Sequence, residues 1–206
     1  IGMMGSGKTT VGKVLSKILK LNFVDTDILI EKKCGLKITK IFDKYGEKYF
    51  RRKEEEIVLD TLLNDKKPCV VALGGGAFLN KKLQKIILKE TISIWLDTTI
   101  ELIYKRCRKS SQRPLLYKDN NKNLKEIIKN LLKIRKSIYS KAKFRVKTNE
   151  KPTKVCNKIL IYIKKEVTMI TRIMSVILLL ITLSFTQTNI SSKYIVVPIN
   201  QNISEI

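Results

Sequence analysis

The chain has 206 residues, 44% of them hydrophobic, with 42 Lys and Arg against 18 Asp and Glu and no histidine. That length allows a well-buried core, and the missing histidine removes the commonest general base, leaving proton transfer to a carboxylate or a phosphate oxygen. The four cysteines (Cys34, Cys69, Cys107, Cys156) form no C-x-x-C pair, which argues against a zinc site and against a disulfide framework and suits a reducing, cytoplasmic setting. A net charge of +24 raises nucleic acid or an anionic membrane as a partner. The lysines, however, are spread along the chain with no dense basic arm and no interleaved aromatics, the pattern of solvated helix faces, so no nucleic-acid partner is expected.

Residues 2–9 read GMMGSGKT, a complete G-x-x-x-x-G-K-[ST] phosphate-binding loop. Gly2, Gly5 and Gly7 let backbone amides approach a phosphate without a Cβ between them. Ser6 and Thr10 complete the loop's contact set. Lys8 brings a cation to the β- and γ-phosphates, and the Thr9 hydroxyl is a hard oxygen suited to Mg²⁺. An amphipathic helix follows, with Val11, Leu15, Ile18 and Leu19 on one face, so the loop lies at a helix N-terminus. Such a loop ordinarily follows a buried strand. Only Ile1 precedes Gly2, so a first strand of about five to seven residues is expected upstream and reads as missing from this chain.

Residues 22–25 (NFVD) read as a strand running into Asp25-Thr26-Asp27, and two carboxylates one residue apart on a strand point the same way. Helices are expected at 28–33, 38–45 and 47–63, with Gly35 and Gly46 as stops. The apolar run 68–73 reads as a buried parallel strand entering Gly74-Gly75-Gly76. Three successive glycines cost conformational entropy, which a close approach of backbone to a ligand would explain. Residues 91–96 read as another strand, and Thr98-Thr99-Ile100-Glu101 as a capping box whose first residue caps the next helix. The polar stretch 108–123, with Pro114, has the length and composition of a lid. A helix from 124 to about 142, a strand at 144–147 and a helix starting at Pro152 complete an alternating α/β pattern.

Taken in this order, the motifs GMMGSGKTTVGK, FVDTD, GEKYFRRKE, ALGGGAF and RPLL, then an Arg with a Tyr four residues on, resemble the shikimate kinases over residues 2–165. The resemblance implies a nucleoside-monophosphate-kinase-like α/β fold of three layers, a parallel sheet flanked by helices with a lid. It also implies transfer of the γ-phosphoryl group of ATP to the 3-hydroxyl of shikimate with Mg²⁺, in the cytoplasm and as a monomer. By resemblance Asp25 helps Thr9 hold Mg²⁺, and Asp27 binds the shikimate hydroxyls and serves as the base. Arg51, Gly74, Gly75, Gly76 and Arg135 bind the acceptor, with Glu54 orienting Arg51. Lys8, Asp27 and Arg113 carry the catalysis, Arg113 acting from the lid, while Arg106 and Lys151 lie on the adenine side. Four of the eight arginines thus fall on family positions in a chain that otherwise uses Lys.

Two features depart from the family pattern. The adenine-side loop 148–152 is short, with Glu150 and Lys151 where an Arg is common, and Ser137 stands where a proline is often found. From Met169 a positive charge at Arg172 precedes a thirteen-residue apolar run at 173–185, which is short for a membrane span. The expected organisation is therefore a kinase-like domain at 1–167 and a signal-peptide-like extension at 168–206. The favoured reading of that extension is a fused or read-through segment, ahead of a tail anchor that would make the protein membrane-associated, and of an extra packed helix. A gluconate kinase, an inactive tethered remnant and a basic nucleic-acid module are the alternative functions.

Overall fold

The computed structural model describes residues 1–64, 67–108 and 123–193. Helix α1 (Lys8–Leu19) follows the phosphate-binding loop, and β1 (Asn22–Asp25) leads directly into α2 (Thr26–Cys34). Next come α3 (Ile38–Leu63), β2 (Cys69–Ala72), a 3₁₀ turn (Ala77–Leu79) and α4 (Lys81–Glu90). The elements β3 (Ile94–Asp97), α5 (Ile100–Cys107), α6 (Leu124–Tyr139), β4 (Phe144–Lys147) and α7 (Pro152–Lys193) follow. The chain divides into two compact units, Ile1–Ile161 and Tyr162–Ile206.

The strands form two parallel pairs, β1 with β2 (Asp25 opposite Ala72) and β3 with β4 (Leu96 opposite Val146). Ile1 continues the parallel pattern beside β3: its amino group donates to Ile94 O at 2.8 Å, and its carbonyl accepts from Leu96 N at 2.9 Å. The parallel arrangement places the C-terminal ends of β1 and β2 side by side, where Asp25 and the glycine turn emerge. Beneath that edge the main core gathers Met3, Leu73, Phe78, Trp95, Ile103, Ile128 and Tyr139. A smaller cluster of Ile30, Ile41, Phe50 and Ile57 joins α2 to α3. Gly46, at φ 76° and ψ 173°, kinks α3 at the expected break, a conformation that favours glycine.

Four local expectations need correction. Ile18 is 46% exposed, because the buried stripe of α1 runs through Val11, Gly12, Leu15 and Ser16 and Ile18 lies about a quarter turn from its centre at ~100° per residue. Gly12 lets the Phe23 ring press onto α1 where a Cβ would collide. Strand β3 starts at Ile94, because Thr91 ends α4 with its hydroxyl and amide both donating to Ile87 O. Thr99 rather than Thr98 caps α5, accepting from Leu102 N at 3.4 Å, while Thr98 is buried and bonds Thr148. The fourth concerns Asp27, which lies in the first turn of α2 and not on β1.

Helix α4 has a strong cap. Asn80 Oδ1 accepts from Lys82 N at 2.9 Å and Leu83 N at 3.2 Å, while Asn80 Nδ2 donates to Glu55 Oε2 at 2.8 Å. Asn80→Ala should cost about 1–2 kcal/mol and lower the melting temperature by about 2–8 °C. A melting temperature within about 1 °C of the parent would sink that assignment.

In the second unit α7 exposes Ile173, Met174, Val176 and Leu178. Among the described residues no helix is long and apolar enough to cross a membrane.

Candidate active site

The loop before α1 is built as an anion cradle. Gly5 and Gly7 take φ 75° and 95°, and Gly7 caps α1 without a side-chain hydrogen bond, so no side chain covers the amides of the first turn. The Lys8 ammonium folds back to donate to Gly2 O and Met3 O, both at 3.0 Å. Arg106 Nη1 braces the loop by donating to Gly5 O at 2.9 Å. Ser6 is fully buried, and its Oγ has no hydrogen-bond partner among the described residues.

One cavity of about 530 Å³ is lined by the whole loop from Met4 to Thr10, by Asp25 and Asp27, and by Gly75. Asp25 ends β1 and caps α2: its Oδ1 accepts from Asp27 N at 3.1 Å, and its Oδ2 accepts from the Thr9 hydroxyl at 2.7 Å. The two aspartates therefore meet through a helix cap and not through strand alternation. Burial pushes the Asp27 carboxyl above its ordinary pKa; Lys8 and Arg51 pull it down, while Asp25 and Glu31 push it further up.

Beside the cavity Arg51 projects from α3, donating from Nη1 to Glu54 Oε2 at 2.6 Å and from Nη2 to Glu47 Oε1 at 3.2 Å. Burial opposes the Arg51 charge, but Glu54 and Glu47 overcome it and hold the guanidinium protonated. Glu54, 2% exposed, moves against what its ion pair alone would give: burial outweighs Arg51 and raises its pKa. Its Oε1 has no hydrogen-bond partner among the described residues. A Cβ on Gly74 would strike Glu54 Oε1 and Asp27 Oδ1, and one on Gly76 would strike the Arg51 guanidinium. That crowding accounts for Gly74 and Gly76, and a Cβ on Gly75 would come within 3.3 Å of Met4 N. On the far side Arg135, 5% exposed, donates from Nη1 to Gly75 O at 3.3 Å. Two guanidiniums thus flank one glycine turn, an arrangement suited to a carboxylate.

A family model described as shikimate kinase matches residues 4–164. The chain belongs to the shikimate kinase family. Among curated shikimate kinases, that of Zymomonas mobilis is 38% identical over 152 residues, 74% of this chain and 84% of the relative. That of Aquifex aeolicus is 39% identical over 161 residues, 78% and 92% of the two chains. The solved structure of shikimate kinase from Acinetobacter baumannii in complex with shikimate aligns with a TM-score of 0.74 at 35% identity, covering 80% of this chain and 90% of that one. The three-layer α/β kinase fold is therefore established.

Against the expected shikimate kinase site, the fold brings Ser6, Lys8, Thr9, Thr10, Asp25, Asp27, Gly75 and Arg106 around one cavity. Arg51, Gly74, Gly76 and Arg135 gather at its glycine turn. Lys151 is exposed ahead of α7 and does not line the cavity, whereas its neighbours Thr148, Glu150, Pro152 and Val155 do. Arg113 lies outside the described residues. Sequence reasoning gave no role to Thr26 or Tyr139, although the patterns DTD and Arg-x-x-x-Tyr contain them.

The Mg²⁺ that the family uses with ATP finds a fitting donor set. Thr9 and Asp25 offer hard oxygens 2.7 Å apart. Among the described residues no group of three or more His, Cys, Asp or Glu side chains is placed to hold a metal ion.

Proposed function

We propose that the chain transfers the γ-phosphoryl group of ATP to the 3-hydroxyl of shikimate, giving ADP and shikimate 3-phosphate, through the residues just described. The observation that carries this assignment of roles is the single cavity shared by the phosphate-binding loop, Asp27 and Gly75, in which a phosphoryl donor and an acceptor hydroxyl can meet. Thr9 and Asp25 hold Mg²⁺, which supplies charge neutralisation on the phosphates. The loop amides, Lys8 and Arg106 fix the nucleotide. Arg51 and Arg135 take the shikimate carboxylate, Gly75 and its neighbours present backbone to the ring, and Asp27 accepts the proton of the attacking hydroxyl. Positioning and charge provide the acceleration, with no covalent intermediate on the protein. The four cysteines are not bridged to one another, and Cys107 and Cys156 are buried, which supports a reducing, cytoplasmic setting.

The direct test is ADP release from Mg-ATP with and without shikimate. Shikimate-dependent release is expected; release that ignores shikimate, or that answers to gluconate instead, would overturn the reading. Arg51→Lys keeps the charge but loses the planar fork. It should weaken shikimate by roughly 1.5–3 kcal/mol, a KM increase on the order of 10- to 150-fold, with the KM for ATP unchanged. An unaltered shikimate KM would remove Arg51 from the acceptor site.

A further inference from the structure

The glycine turn 74–76 is held by two buried hydroxyls that have no part in the phosphoryl transfer itself. Thr26, fully buried between Asp25 and Asp27, donates to Ala72 O at 3.3 Å and accepts Gly74 N–H at 3.0 Å. Tyr139, fully buried at the end of α6, donates to Gly75 O at 2.5 Å, the same oxygen that takes Arg135. The two anchors come from elements far apart in sequence and grip adjacent residues of one turn. Three glycines in succession would otherwise sample many backbone states. Held in this way, the Gly75 backbone stays on the wall of the cavity while Glu54 and Asp27 sit against Gly74.

We propose that Thr26 and Tyr139 are positioning residues that clamp the 74–76 turn and thereby set affinity for the acceptor while leaving nucleotide binding alone. This rests on the assignment of the turn to the acceptor site. Thr26 ties the turn to β2 beside the two aspartates, and Tyr139 ties it to the helix that carries Arg135. Loss of either anchor frees the turn, and the backbone and arginine contacts to the acceptor lose their common geometry.

Thr26→Val replaces a hydroxyl by a methyl of similar size, Tyr139→Phe deletes one oxygen, and Thr26→Ser keeps the hydroxyl. The measurements are the shikimate Kd by calorimetry, the KM for each substrate and the melting temperature. Thr26→Val and Tyr139→Phe should each raise the shikimate Kd and KM about tenfold, the effect of one hydrogen bond, while the ATP KM stays within about twofold. Thr26→Ser should stay close to the parent. If Thr26→Val does not fold, Tyr139→Phe carries the same expectation alone. A lower melting temperature with an unchanged shikimate Kd, or a proportional loss for both substrates, would reduce the pair to ordinary core groups and overturn the proposal. A parent protein that neither binds nor phosphorylates shikimate would instead overturn the function assigned above, and the acceptor role of the clamp with it.

Discussion

Lys8→Met should lower shikimate-dependent ADP release by at least about a hundred- to a thousand-fold, the loss typical when one preorganised donor to developing charge is removed. The lysine is the side-chain cation of the loop itself, and its ammonium already lies within 3.0 Å of two loop carbonyls, so little reorganisation is needed to reach a phosphate. Methionine keeps an unbranched side chain one heavy atom shorter and removes the charge and the donors. The fold should survive, because the buried residues of α1 are Val11, Gly12, Leu15 and Ser16. Rate measurements at saturating ATP, with thermal melting as the control, decide it. Turnover within tenfold of the parent would mean that the loop does not hold the transferring phosphate.

Asp27→Asn should reduce kcat by about 10²–10⁴-fold, the usual contribution of a positioned general base, with a smaller effect on ATP binding. With no histidine in the chain, a carboxylate is the side chain left for this task at neutral pH. Burial, Asp25 and Glu31 all raise the Asp27 pKa against the pull of Lys8 and Arg51. The acid limb of kcat/KM should therefore fall above the ordinary carboxylate range in the parent and vanish in the variant. Stability should move the other way. A carboxyl whose folded pKa is raised contributes stability that is complete below its unfolded pKa and is lost as pH rises through the folded value. Asn carries no charge to desolvate, so the variant should melt at or above the parent temperature at neutral pH. An acid limb that persists in Asp27→Asn would pass the proton-accepting role to another group, Glu54 being the next buried carboxylate.

How much of this was legible depends on whether the relevant neighbours are close in sequence. The phosphate-binding loop is a run of consecutive residues, so its glycines, Lys8 and Thr9 announce their geometry directly. Strands β1 and β4 matched their expected bounds because each carries two apolar residues among polar ones, Phe23 and Val24 in β1 and Phe144 and Val146 in β4. Thr98 was read as a helix cap because local spacing cannot register that Thr148 and the Ser6 carbonyl take its hydroxyl from 50 and 92 residues away. Asp27 was placed on a strand because alternation says nothing about where β1 gives way to α2.

The sequence by itself determined the nucleotide loop, the order of strands and helices, the family motifs and the residue types available for chemistry. These follow from local backbone preference and hydrophobic period, which act over a few residues. Only the tertiary structure decided which of these groups touch one another around the glycine turn. It set Glu54 and Asp27 against Gly74, Arg51 against Gly76, and Arg135 with Tyr139 on Gly75 O. Those contacts span 20 to 64 residues and form only when packing beneath the sheet edge brings β1, β2, α3 and α6 together. The buried polar groups must then find partners there, because an unpaired one costs more than the bond it would make.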